Sequence, residues 1–278
     1  MTHRTHTPTS RTARRLTLTA AVLAACILSV AAQLYNAGER LTYKVAYRAK
    51  LIPNTEMATV EMATTLDTLD GRMLYKVSGC ARIMSAFRWF FDVEDKYTIW
   101  VDTLTKRTQR FESDIREGDY TFRSRYRYDW DAMQVHTWAQ SRDKEPRENT
   151  IALTANSMDA ISLYFNLRSL EPEDFDDGKT HTLEMVLDTK IKMLRFRYLG
   201  REECRVPKRG RFRALKFACT LGSSEEFSFT DGTEFLIWIT DDRNKFPLML
   251  ESPVRVGRVR AYISGYEGLR YPLDCKVK

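Results

Sequence analysis

From Tyr120 to Trp130 the chain alternates with a period of two. Tyr120, Phe122, Tyr126, Tyr128 and Trp130 fall on one parity, and Thr121, Arg123, Arg125, Arg127 and Asp129 fall on the other. Successive side chains of an extended strand point to opposite faces, so this stretch reads as a strand with a buried aromatic face and an arginine face turned to water or a partner. Leu41, Tyr43, Val45, Tyr47 and Ala49 alternate in the same way against Thr42, Lys44, Arg48 and Lys50. Further strands are expected at about 57–69, 73–82, 96–103, 106–115, 133–142, 179–188, 192–202, 213–221, 234–240 and 254–264. Asp70-Gly71 and Glu117-Gly118-Asp119 supply turns, and the switch of apolar parity across Gly257 predicts a bulge. Links this short require antiparallel pairing, because parallel strands need long crossovers.

One helix is expected to interrupt the strands. Asn156 or Ser157 can cap it, and Met158, Ile161, Leu163, Tyr164, Phe165, Leu167 and Leu170 surround nearly its whole circumference, which predicts burial. A second short helical turn is expected at 84–91, with Phe87, Trp89, Phe90 and Phe91 serving as core or as a lid. No repeat or Pro/Gly/Ser-rich linker divides the chain after residue 32, so residues 33–278 read as a single β-rich domain. The expected fold is all-β with one or two helices: a large antiparallel, barrel-like sheet of about 11–12 strands with a mostly apolar helix packed in or against it. About eight strands already enclose a space that side chains can fill, so a wider barrel leaves room for its helix and for an apolar pocket. The residues placed on that pocket are Tyr43, Val45, Tyr47, Phe122, Tyr126, Tyr128 and the helical Tyr164. Two packed sheets would bury the same parity with no cavity.

Residues 1–32 set the expected compartment. Arg4, Arg11, Arg14 and Arg15, with no acid, lead into an apolar stretch from Leu16 that ends in small residues, the pattern of an export signal cleaved before Gln33. Leu23-Ala24-Ala25-Cys26 offers an alternative, lipidation at Cys26, but the residues after it continue the apolar core where a polar tether is expected. The destination is then the periplasm or the outer-membrane surface. Four of the 44 basic residues lie in the signal, which leaves 40 against 37 acidic ones and a charge of about +3, too balanced for a nucleic-acid partner. Arginines still cluster, and Arg123, Arg125 and Arg127 are the candidate contacts for an anionic headgroup or glycan. Cys80, Cys204, Cys219 and Cys275 allow two disulfides in three connectivities, or four buried thiols.

No reaction is legible in the residues. His136 and His181 are too few for a multi-histidine metal site, and Ser157 lies in no GxSxG elbow. Asp241 and Asp242, with Glu251, resemble a carboxylate pair, but adjacent strand residues point to opposite faces and the Thr240-Asp241-Asp242-Arg243-Asn244 run fits a turn better. Trp238 reads as a core aromatic. No catalytic residue, cofactor or metal is therefore assigned.

The order of several short stretches adds a resemblance. These are Gly38-Glu39-Arg40-Leu41-Thr42-Tyr43, then Phe90-Phe91-Asp92-Val93-Glu94-Asp95-Lys96-Tyr97 through Asp102, Phe111 to Asp114, and Glu117-Gly118-Asp119-Tyr120. Trp238-Ile239-Thr240-Asp241-Asp242, Phe246-Pro247, Glu251-Ser252-Pro253 and Val256-Gly257 follow. Over about 36–268 the chain resembles exported Bacteroidetes-type proteins of the family called domain of unknown function 3108. It departs from them at Asn54 to Ala58, which lacks the glycine of their first hairpin. The resemblance implies an exported, mostly β protein and no assigned reaction. In architecture the chain also looks like the lipoprotein carriers, an open β-barrel with a helical plug. The expected function is noncatalytic binding of an apolar or amphipathic, lipid-like ligand inside the barrel of a monomer. The alternatives are an interaction module that holds an envelope protein or glycan on its sheet face and, with least support, an extracytoplasmic hydrolase.

Overall fold

The computed structural model describes residues 36–50, 52–89, 91–159, 161–163, 167–169, 171–187, 189–222 and 234–278. The expected export signal, Cys26 and Tyr164 lie outside the described residues.

One sheet of sixteen strands organises the chain. Its first eight strands, β1 (Arg40–Ala49), β2 (Ile52–Leu69), β3 (Arg72–Ile83), β4 (Glu94–Asp102), β5 (Thr108–Glu117), β6 (Tyr120–Asp129), β7 (Gln134–Ser141) and β8 (Arg147–Ala152), form an antiparallel meander. The second meander holds β9 (Ser157–Asp159), β10 (His181–Leu187), β11 (Lys190–Val206), β12 (Gly210–Leu221), β13 (Glu234–Thr240), β14 (Pro247–Pro253) and β15 (Arg258–Glu267). β1 pairs antiparallel with β15 and joins the two, β16 (Lys276–Val277) pairs with β12, and β9 runs parallel to β10. The path through the sheet starts at β8 and ends at β9. Side chains bring those ends back onto the sheet. Thr108 Oγ1 in β5 donates to Asp159 Oδ2 in β9 at 2.6 Å, and Asn149 Nδ2 in β8 donates to the Thr189 carbonyl at 3.4 Å. The result is a curled, barrel-like sheet drawn together by side chains where its ends meet.

The turns follow from local chemistry. Asp70 and Gly71 both take positive φ, 51° and 74°, as a two-residue turn twisted to match its strands requires. Gly118 turns β5 into β6 with φ 57°. β1 ends at Ala49 and β2 begins at Ile52, so Asn54 to Ala58 is strand and has no use for a glycine. Gly257 is not a bulge. It sits in the β14–β15 turn at φ 90°, where its carbonyl accepts the Val254 N–H, and a Cβ there would lie 2.2 Å from the Arg48 carbonyl oxygen.

Of the expected helix over 158–170, residues 161–163 are helical, while Met158 and Asp159 belong to the strand Ser157–Asp159 and Leu167–Ser169 form a 3-10 turn; 160, 164–166 and 170 lie outside the described residues. The turn at 161–163 is held by Asp159, whose Oδ1 accepts the N–H groups of Ile161 and Ser162. Within 84–91 the described residues form the expected short helical turn as a 3-10 turn, Ser85–Phe87. Trp89 is 83% exposed and Phe91 45%, so neither is core.

The second meander buries apolar residues on both faces. Ile239 belongs to one cluster with Leu194, Phe196, Tyr198, Leu215, Phe217 and Cys219. Its neighbour Trp238 belongs to another with Phe212, Met249 and Tyr262. Adjacent residues of a strand point oppositely, so these clusters occupy the two sides of β13.

Candidate functional site

An apolar pocket of ≈ 310 Å³ opens over the second meander. β11 contributes Leu194 and Phe196, β12 contributes Phe217 and Cys219, and β13 contributes Phe235, Ile237 and Ile239. β1 and β2 add Tyr43, Val60 and Met62, β14 and β15 add Pro247, Leu250 and Ala261, and Leu163 reaches in from the helical turn. Most of these positions are two apart on their strands, so the alternation that makes the sheet also builds the wall.

Leu163 belongs to the helical residues 161–163, and buried polar groups hold the described residues on either side of it in sequence. On one side Asp159 takes the Thr108 hydroxyl and the two N–H groups of the following turn. On the other, Arg168 forks onto Glu39, with Nη1 to Oε1 at 2.5 Å and Nη2 to Oε2 at 2.9 Å, and donates through Nε to the Asn244 carbonyl at 2.9 Å. Both side chains are buried, at 1% and 2% exposure. The Asn244 amide nitrogen donates to the carbonyls of Tyr271 and Pro272, and its Oδ1 accepts the Tyr271 N–H. Arg168 thus ties the turn Leu167–Ser169 to the start of β1 and to the chain after β15. The sequence suggested neither Arg168 nor Glu39. A lone arginine inside an apolar run was the available signal.

The predicted lining residues separate. Tyr43 borders the pocket. Tyr47 points to the β14–β15 turn, where its hydroxyl donates to the Val256 carbonyl at 2.6 Å. Phe122, Tyr126 and Tyr128 are buried on the first meander, where Tyr126 stacks on Phe111 at 4.7 Å and Tyr128 on Trp130 at 5.7 Å. The Tyr128 hydroxyl is buried with no hydrogen-bond partner among the described residues. Burial first, and then the charge of Asp159, push its pKa well above the usual phenol value.

Arg123, Arg125 and Arg127 project from the outer side of β6. Arg123 lies 3.9 Å from Asp114, Arg125 sits 5.4 Å over Trp138, and Arg127 lies directly across from Arg110 on one side and His136 on the other.

The candidate carboxylates are occupied. Asp242 Oδ1 accepts the Thr240 hydroxyl and the Asn244 N–H, both at 2.9 Å, as a turn residue does, and Asp241 faces Arg201 at 3.4 Å. Glu251 accepts from Arg258 and Arg260. Burial works to raise its pKa, and the hydrogen bond and charge of Arg260, with those of Arg258, outweigh burial and hold it below the usual carboxylate range. Ser157 Oγ donates to Glu184 at 3.0 Å, His136 meets Thr150 and His181 meets Asp177. Among the described residues no group of three or more His, Cys, Asp or Glu side chains could hold a metal ion, and no helix is long and apolar enough to cross a membrane. Cys80, Cys204, Cys219 and Cys275 are free thiols on different elements. Burial pushes the Cys204 and Cys219 thiols up to about 12, which makes them poor nucleophiles.

Among curated proteins none matches the chain. A solved structure with the same type of fold is a β-barrel-like protein of domain of unknown function DUF1849 from Brucella abortus. Its TM-score is 0.54 at 10% identity, covering 84% of this chain and 98% of that one. The family described as "Protein of unknown function (DUF3108)" matches residues 42–264, all but the first strand residues and the end of the curled sheet, and to that family the chain belongs.

Proposed function

We propose that this is an exported, noncatalytic protein of the cell envelope that holds an apolar or amphipathic ligand, such as a lipid acyl chain, in the pocket of the second meander. The observation that carries the reading is the pocket's wall: aliphatic, aromatic and sulfur side chains from seven strands, closed on one side by Leu163. A volume of ≈ 310 Å³ lies at the small end of the range for small-molecule sites, about 300–1,000 Å³. Each buried methylene contributes about 0.8 kcal/mol, so even a short acyl segment binds usefully in such a wall. The cationic, apolar stretch of residues 1–32 supports export.

Titration with a fluorescent fatty-acid analogue tests the reading. Saturable enhancement is expected in the wild-type protein, and loss of at least tenfold in affinity is expected in Ala261→Trp, which fills the wall beside Leu250. Melting curves of the variant establish that it folds. Equal affinity in wild type and a folded Ala261→Trp refutes the pocket as the site.

A further inference from the structure

We infer that the outer face of β3, β5, β6 and β7 holds a site for the phosphate group of a small soluble molecule, centred on Arg127. The inference is independent of the apolar pocket, since Arg127 lies on the parity of β6 opposite to the buried aromatics.

Two adjoining clefts, of ≈ 530 Å³ and ≈ 450 Å³, share Arg72, Gln109, Arg127 and His136 in their walls. The ladder register sets the charges there. Arg110 is directly opposite Arg127, and Arg127 directly opposite His136. Of these facing pairs only Arg110 and Arg127 carry like charges, which repel across a sheet, and a bound anion relieves that repulsion. Arg110 is answered by Glu112 at 2.7 Å. Glu112 also stands directly opposite Arg125 in the ladder, and the charge of Arg72 acts on Asp102, which leaves Arg127, opposite Arg110 and His136, as the cation faced by no carboxylate among the described residues.

The carboxylates on the rim do not fill that role. Asp102 Oδ1 accepts the N–H groups of Leu104 and Thr105 at 2.9 and 2.7 Å, and Asp129 Oδ1 those of Asp131 and Ala132 at 3.1 and 2.9 Å. Asp129 is committed to its own turn, Asp102 holds its turn and also answers Arg72, and Asp70, Asp131 and Glu148 border the clefts without an ion pair to Arg127.

The aromatics decide what kind of anion fits. Trp100 is covered by Lys76 at 5.5 Å and Arg110 at 5.4 Å, Trp138 by Arg125 at 5.4 Å, and Trp130 by Arg107 at 4.7 Å. With cations of the protein already seated over Trp130 and Trp138, the clefts present guanidinium groups more than bare rings. Recognition falls to guanidinium forks, whose paired N–H groups match the oxygens of a phosphate. The recessed clefts suit a compact solute better than a flat membrane.

The test is melting in phosphate-free buffer of fixed ionic strength, followed by titration with inorganic phosphate as the probe. A ligand that binds only the folded state raises Tm in a saturable way. Wild type is expected to show that rise. Arg127→Gln is expected to melt at or above the wild-type temperature without phosphate and to need at least tenfold more phosphate for the same shift. Arg123→Gln, which removes a charge outside both clefts, is expected to stay within twofold of wild type. A linear, unsaturable response, or equal losses in the two variants, means diffuse surface charge and overturns the site. Arg127-dependent binding to phosphatidylglycerol vesicles with no response to phosphate assigns the face to a membrane and overturns it as well.

Discussion

Removing Arg168 is expected to be the most damaging single change outside the strand cores. Its guanidinium is 1% exposed and satisfies both oxygens of Glu39, itself 2% exposed, while also answering the Asn244 carbonyl. Arg168→Ala leaves the Glu39 carboxylate buried without a counter-charge, a defect that costs about 3–5 kcal/mol. For a chain of this size each kcal/mol moves Tm by about 2–4 °C, so a fall of roughly 6–20 °C is expected. Urea unfolding followed by tryptophan fluorescence gives the free energy directly. The double variant Glu39→Gln/Arg168→Met removes both charges and retains bulk. It is expected to recover at least half of the loss, because the penalty lies in the orphaned ion and replacing both partners of a buried pair is often close to neutral. A loss under about 1 kcal/mol in Arg168→Ala, or a double variant as unstable as the single one, refutes the claim that this pair fixes the Leu167–Ser169 turn across the sheet.

Asp95 sets a pH dependence. Burial raises its carboxyl to about 6, against a hydrogen bond from the Arg116 N–H that lowers it and the charge of Glu117 that raises it. The folded state then binds the proton more tightly than the unfolded one, so Asp95 favours folding most below about pH 4, and that contribution is lost as pH rises to about 6. Asp95→Asn is accordingly expected to be about 1–3 kcal/mol more stable than wild type at pH 8 and equal to it near pH 4, and a pH-independent difference in urea unfolding contradicts the assignment. Gly257→Ala is expected to destabilise by more than about 1 kcal/mol, since it combines positive φ with a 2.2 Å approach to the Arg48 carbonyl; an unchanged Tm would show that the turn relaxes freely. Trp89→Ser is expected to shift stability by less than about 0.5 kcal/mol, because the ring is 83% exposed. Alkylation at pH 8 is expected to leave Cys204, Cys219 and Cys275 unmodified in the folded protein and to reach them in urea, as peptide mapping after labelling will show.

Alternation carried most of the fold into view. Where one face is buried and the other wet, as from Phe122 to Asp129 with its strict buried and exposed succession, parity and structure coincide, whereas Tyr120 at the strand's start was expected on the buried face and is 40% exposed. Alternation vanishes when both faces share one environment, and there the sequence reading missed strands. β8, RENTIA, is almost wholly exposed, and β14, PLMLESP, runs between apolar clusters after a proline. The sheet therefore has sixteen strands where about a dozen were expected. In the 158–170 run the helix begins later than expected, because Asp159 closes the strand Ser157–Asp159 by bonding β5 and its Oδ1 accepts the N–H groups of Ile161 and Ser162 at the start of the helical residues 161–163.

The candidate site was legible in kind but largely not in place. Tyr43 could be put on an inward face because its strand alternates, but the same argument put Tyr126 and Tyr128 there too. Parity gives the side of a sheet and not the stretch of it that remains open. On the first meander the inward aromatics stack on one another and on Phe111 and Trp130, whereas over the second Phe196, Phe217 and Ile237 leave space between the wall and Leu163. Long-range closure by Arg168 and Glu39, 129 residues apart, has no local pattern to betray it.

Native mass spectrometry of the protein purified gently from its own cells bears most directly on the claim that the curled sheet holds a binding chamber. The account predicts a stoichiometric adduct that organic solvent removes, that proves to carry an acyl or similarly apolar chain, and that is missing from Ala261→Trp. A bare polypeptide mass in every preparation, with no uptake of added fatty acid, would contradict it.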